Sequence, residues 1–234
     1  MALIINIETS TPVCSVALSR DGKVLHTLEN HDGYAHASHL TVLIERLFTE
    51  TDGVSMSQVD AVAVSSGPGS YTGLRIGVST AKGLCFALGK PLIAIGSLDV
   101  LTWPVSSMVP DLSVDNRWYC PMIDARRMEV YTTFFDEKMN RLKDVVAEII
   151  TADSFQDVLP QREIIFFGDG AAKCKDVIDH PNARFVDDVV PLAKNMARLA
   201  QQAFDNGRFE DVAYYEPFYL KDFVATTPKP KVIG

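Results

Sequence analysis

Two acids stand where an apolar run gives way to a polar bend, Glu8 in IETSTP and Asp124 in IDARRM. Acids at strand ends can hold a magnesium-bound water or a phosphate. The plain alternative is that both accept hydrogen bonds from their own loop amides. His31, His36 and His39 lie close together, and the last two, three residues apart at a predicted helix start, can bring two imidazoles to one side. The sequence places no third ligand, so solvated or capping histidines are the expectation. The loop GPGSYTG at 67–73, with Arg75 in the first turn of the helix that follows, offers free amides to an anion. It lacks the lysine and spacing of a Walker sequence. Gly168-Asp169-Gly170 is a second, weaker glycine loop, and no Ser-His-Asp or Cys-His spacing is recognisable. Catalytic, cofactor-binding and metal residues are accordingly left unassigned.

These groups need elements to hold them. The apolar run 61–64 leads into the glycine loop, and a helix over 74–88 follows, with Ser70 or Thr72 as its cap. Its only polar side chains are Arg75, Ser79, Thr80 and Lys82, too few for a helix with one broad solvent face. Gly73, Gly77 and Ala81 recur every four residues, with Thr80, Gly83 and Ala87 nearby, so one face is almost without bulk. Interior glycines cost about 0.5–1 kcal/mol each relative to alanine, a cost that close approach of another backbone would explain. The expectation is a helix packed on its own sheet with one face and on a second helix with the other. That second helix can belong to this chain or to another subunit.

The chain has 234 residues, 47% of them hydrophobic, enough for one two-lobed body or two modest domains. A net charge of -8 and the lack of a dense Lys/Arg run argue against a dedicated nucleic-acid surface. Cys14, Cys85, Cys120 and Cys174 form no CxxC pair and read as buried reduced thiols. The start MALIINIETS has no basic leader, and no apolar run reaches the ~18 residues of a membrane span, so a soluble, cytoplasmic protein is expected.

In order, strands at 2–7, 13–18 and 24–28 precede a helix built on Leu40, Leu43, Ile44, Leu47 and Phe48, then the strand, loop and helix above and a strand at 91–95. A short helix over 97–108 and a linker over 110–116 lead to a second beginning. NIETSTPVCSVALSRDGKV and MIDARRMEVYTTFFDEKMN share one plan, an apolar strand ending in an acid, a polar bend, an apolar strand and a charged turn. The second half adds a helix over 151–159, strands at 163–167 and 183–186, a helix from about residue 191, an aromatic segment at 214–220 suited to docking, and a tail over 226–234.

This duplicated plan resembles the two-lobed α/β fold of actin, sugar kinases and the Hsp70 ATPase, a doubled RNase H-like unit. The strings SSGPGSYTGLRIG, IETSTPVCSVAL, IDARRMEVY and YEPFYL, in that family's order along nearly the whole chain, resemble the TsaB (YeaZ) family more specifically. The resemblance implies lobes at 1–109 and 110–225, the end of the second able to dock on the first, and a flexible tail at 226–234. It also implies a non-catalytic subunit that supports TsaD in making threonylcarbamoyladenosine beside the anticodon of tRNAs reading codons that begin with A. TsaC supplies the activated threonylcarbamoyl group and TsaE acts on the assembled pair. Expected partners are thus TsaD, TsaE and a second copy of the chain, with tRNA met through the complex and no membrane. No cofactor is assigned, although a nucleotide shared at the TsaB–TsaD junction fits the fold. The implied interface lies on the helices of the first lobe, at Leu40, Leu43, Leu47, Tyr71, Gly73, Gly77, Thr80 and Ala81. The family usually has Asp where Glu8 stands, which counts against a metal there. The competing readings are an actin-like ATPase or phosphotransferase using Glu8, Asp124 and the two glycine loops, and a glycoprotease-type peptidase.

Overall fold

The computed structural model describes residues 2–33, 36–108 and 116–221, and in it the first apolar run is a strand buried on both faces. In β1 (Leu3–Glu8), Leu3, Ile5 and Ile7 share a core with Leu40, Leu43 and Leu47 of α1 (His36–Thr49) and Val78 and Ala81 of α2 (Tyr71–Leu88). Ile4 turns the other way, to Met196 and Ala200 of α5 (Ala193–Asp205). A strand whose two faces both meet helices needs no polar alternation, which is why this run is continuously apolar.

β2 (Cys14–Arg20) and β3 (Lys23–Asn30) add to β1 as antiparallel strands, and β4 (Ala61–Ser65) and β5 (Leu92–Ile95) add in parallel, in the order β3-β2-β1-β4-β5. The second sheet holds β6 (Trp118–Asp124), β7 (Glu129–Thr132), β8 (Val146–Ile149), β9 (Ile164–Phe167) and β10 (Ala183–Val186). Its order, β8-β7-β6-β9-β10, repeats the first position by position, with the same antiparallel and parallel pairings. The duplicated plan is therefore a property of the fold. The loops agree too: Gly67 after β4 and Gly168 after β9 both have φ +104°, open to glycine alone at little cost.

Each sheet is completed by a helix from the other half of the chain. α3 (Ser97–Thr102) and α4 (Val105–Met108) follow β5, yet Leu98, Leu101 and Val105 pack with Tyr119, Ile123, Ile165 and Phe167 of the second sheet. α5 follows β10 and covers β1 and β2 of the first sheet, where the Ala193 N–H donates to Ser15 Oγ at 2.9 Å. That bond satisfies one of the orphan amides at the start of a helix that has no side-chain cap of its own.

The helix expected over 151–159 is instead a series of turns. Thr151, Ser154 and Gln156 bond nearby backbone with their side chains, which competes with helix formation. Phe155 takes φ +64° and sets its ring 5.7 Å from Phe134 and 5.3 Å from Phe166. Core aromatic packing outweighs local helix preference there. Of the expected linker only Asn116 is described, and the tail at 226–234 lies outside the described residues.

Candidate functional site

Ser70 caps α2, its Oγ accepting the Gly73 N–H at 3.3 Å, and Gly89 in the left-handed region ends the helix. Between them the bare face of the helix meets the turn between β1 and β2. A Cβ at Gly69 would overlap the Ser10 carbonyl oxygen, one at Gly73 the Thr9 carbonyl oxygen, and one at Gly77 Thr9 Oγ1. The close approach inferred from these glycines is real, but its partner is the chain's own Thr9-Ser10 backbone.

Six of the eight residues expected at the interface are enclosed within the single chain. Gly73, Gly77 and Ala81 are buried against the first sheet and its turn, and Leu40, Leu43 and Leu47 lie in the core beneath α1. Of Leu40, Leu43, Leu47 and Ala81, Leu43 keeps the most accessible surface, at 4%, and Leu47 and Ala81 keep none. Tyr71 and Thr80 alone of the eight keep partly exposed positions. Between α1 and α2 lies an apolar groove of about 290 Å³, lined by Ile44, Phe48, Met56, Thr80 and Leu84, with Glu45 among the residues at its edge. Helical periodicity did single out Ile44, Phe48 and Leu84. Their missing signal was the side on which α1 and α2 diverge, which depends on packing the pair on the sheet.

The strand-end acids are held inside their own loops. Glu8 has no exposed surface, and its Oε1 accepts the Ser10 N–H at 2.6 Å. Asp124 does the same in the second sheet, Oδ1 accepting the Arg126 N–H at 3.1 Å, and Lys173 pairs with that carboxylate. Lys173 also donates to the Glu129 carbonyl oxygen at 2.7 Å, and Asp169 Oδ1 accepts the Asp124 N–H at 3.1 Å. Neither Lys173 nor the acceptor role of Asp169 was readable from sequence, since both depend on the loop after β9 folding back on β6. Burial pushes the Asp169 carboxyl above its usual range.

Burial also raises the Glu8 carboxyl above the ordinary value, against the pull of the Ser10 amide. A carboxyl raised in the folded state contributes its full stability below the unfolded value of about 4.3 and loses it as pH climbs through the folded value. Glu8→Gln keeps the acceptor for Ser10 and removes the charge. The variant is expected to match the wild type near that lower pH and to be more stable by about 1–3 kcal/mol at neutral pH, the scale of one buried unmet polar group. Urea titrations across that range check this, and equal pH slopes in both proteins would refute it.

His36 is buried with Nε2 on the Thr11 carbonyl oxygen at 2.9 Å, and burial lowers its pKa, so it ties the start of α1 to the β1–β2 turn. His31 instead meets Glu29 at 3.2 Å. Among the described residues no group of three or more His, Cys, Asp or Glu is placed to hold a metal ion. Burial pushes the thiols of Cys14 and Cys85 up to about 11, which makes them poor nucleophiles at neutral pH. No helix among the described residues is long and apolar enough to cross a membrane.

Residues 33–229 match the protein family described as TsaD: tRNA N6-adenosine threonylcarbamoyltransferase. The chain is 29% identical to the tRNA threonylcarbamoyladenosine biosynthesis protein TsaB of Escherichia coli, an alignment covering 97% of this chain and 98% of that one. Among solved structures it resembles YeaZ from Pseudomonas aeruginosa, with a TM-score of 0.74 and 27% identity over 94% of this chain and 100% of the other. The activator of 2-hydroxyisocaproyl-CoA dehydratase from Clostridium difficile, solved with ADPNP bound, shares the fold at a TM-score of 0.50 and 10% identity, covering 88% and 96% of the two chains.

Proposed function

We infer, since this chain belongs to the family of TsaD, tRNA N6-adenosine threonylcarbamoyltransferase, and within it to the TsaB (YeaZ) branch, that it is the accessory subunit of threonylcarbamoyladenosine synthesis. In this reading it works in the cytoplasm, pairs with TsaD, presents part of the surface that TsaE uses and meets tRNA through the assembly. The carrying observation is the groove between α1 and α2, where Phe48 and Leu84 leave apolar surface that no sheet or helix among the described residues covers. A partner of the same fold carries the matching helix pair, so two such grooves can close on each other as a four-helix layer. A second copy of this chain offers the same surface, which makes a self-dimer the resting form that TsaD displaces.

The acids support the accessory role over the ATPase alternative. Glu8 sits fully buried with Oε1 on its own loop amide, and Asp124 is paired with Lys173. Light scattering on the purified chain, alone and mixed with TsaD, tests the reading. A self-dimer that exchanges for a one-to-one complex is expected, and a mass indifferent to TsaD would overturn it.

A further inference from the structure

We propose that residues 211–221 form a strap that latches the two sheets together across the carboxyl ends of their central strands. The segment begins on the first sheet. The Glu210 N–H donates to the Leu92 carbonyl oxygen at 2.9 Å, and Lys82 of α2 donates to the carbonyl oxygens of Ala213 and Tyr215 at 3.0 and 3.1 Å. It then crosses the glycine loop. The Phe218 N–H donates to the Ser66 carbonyl oxygen at 2.7 Å, and the Tyr219 ring lies 4.8 Å from that of Tyr71. Gly67 is a glycine partly on this account, because a Cβ there would come within 2.6 Å of the Phe218 carbonyl oxygen. Finally Lys221 reaches the second sheet, where it pairs with Glu129 at the start of β7 and sits 5.9 Å from the Tyr131 ring.

The two ends differ in strength. Backbone hydrogen bonds and ring packing tie the strap to the first sheet at several points, whereas among the described residues the far end is held by a partly exposed ion pair and the contact of Lys221 with the Tyr131 ring. Such a pair holds at rest and yields to a competing charge or to salt, which is the behaviour of a latch. Because Lys82 lies between Thr80 and Leu84 on α2, the strap also joins the helix that lines the groove to the second sheet. The latch itself stands on contacts within this chain and does not require the accessory reading.

The test uses the full chain with spin labels at Asp52→Cys and Asp144→Cys, exposed positions in the two halves, the native cysteines being buried. Pulsed spin-label distances and exchange of the Phe218 amide are measured for the parent, Lys221→Glu and the swapped pair Lys221→Glu with Glu129→Lys. Lys221→Glu is expected to broaden the distance distribution and speed Phe218 exchange about fivefold, with the swap restoring both. Added salt should broaden the parent and leave Lys221→Glu unchanged. An unaltered distribution in Lys221→Glu, or a swap that fails to restore it, would mean the strap is anchored on the first sheet alone.

Discussion

Gly73→Ala is expected to destabilise the protein by about 1–3 kcal/mol, although alanine is the better helix former by about 0.5–1 kcal/mol. The added methyl would overlap the Thr9 carbonyl oxygen and come within 3.2 Å of His36 Cδ2. A carbonyl moves only if the whole β1–β2 turn moves, and that turn also carries the Ser10 amide on Glu8 and the Thr11 carbonyl oxygen on His36. Gly77→Ala should cost less, because its methyl would overlap only a side-chain hydroxyl, Thr9 Oγ1, and otherwise meets Thr9 Cβ at 3.4 Å and a methyl of Val64 at 3.5 Å, ordinary contact distances. Thr9→Ala removes that hydroxyl. The pair Gly77→Ala with Thr9→Ala should therefore recover most of the loss, while Gly73→Ala with Thr9→Ala should not. Urea unfolding of the wild type and the five variants checks both statements. Variants that fold normally but no longer associate would show instead that this face meets another subunit.

The second large effect is on association. Leu84→Glu puts a charge into the groove between α1 and α2, at a position partly exposed in the single chain. Folding should change little there, since the carboxylate can reach water. In a closed helix-to-helix interface it would be desolvated without a partner, at about 2 kcal/mol or more, roughly thirtyfold in Kd for TsaD. Phe48→Asp on the facing helix should do the same. Calorimetric titration of TsaD with each variant measures the change, and affinities equal to wild type would move the interface elsewhere.

The duplicated plan was legible because continuous apolar runs ending in acid and bend recur at Glu8 and Asp124 and signal the same supersecondary unit twice. Strand β8 was missed because Val146 and Ile149 are exposed and the run has no apolar face strong enough to mark it. The turns at 151–159 were read as a helix because the left-handed Phe155 is set by a core that only long-range packing creates. The site was half legible. Spacing at Gly73, Gly77 and Ala81 did report a close backbone, but periodicity carries no information on whose backbone it is. Turn Thr9-Ser10 is sixty and more residues away in sequence, roughly, and is brought there by β1 pairing with β4. The same holds for Lys173 on Asp124 and Lys221 on Glu129, each a contact between segments that no local pattern connects.

The most direct measurement is threonylcarbamoyl transfer to tRNA in mixtures of TsaC, TsaD and TsaE, with this chain added, omitted or carrying Leu84→Glu. Product is expected only with the wild-type chain, none when TsaD is left out, and little with Leu84→Glu. Product formed without TsaD, or full restoration by Leu84→Glu, would contradict an accessory subunit acting through the groove between α1 and α2.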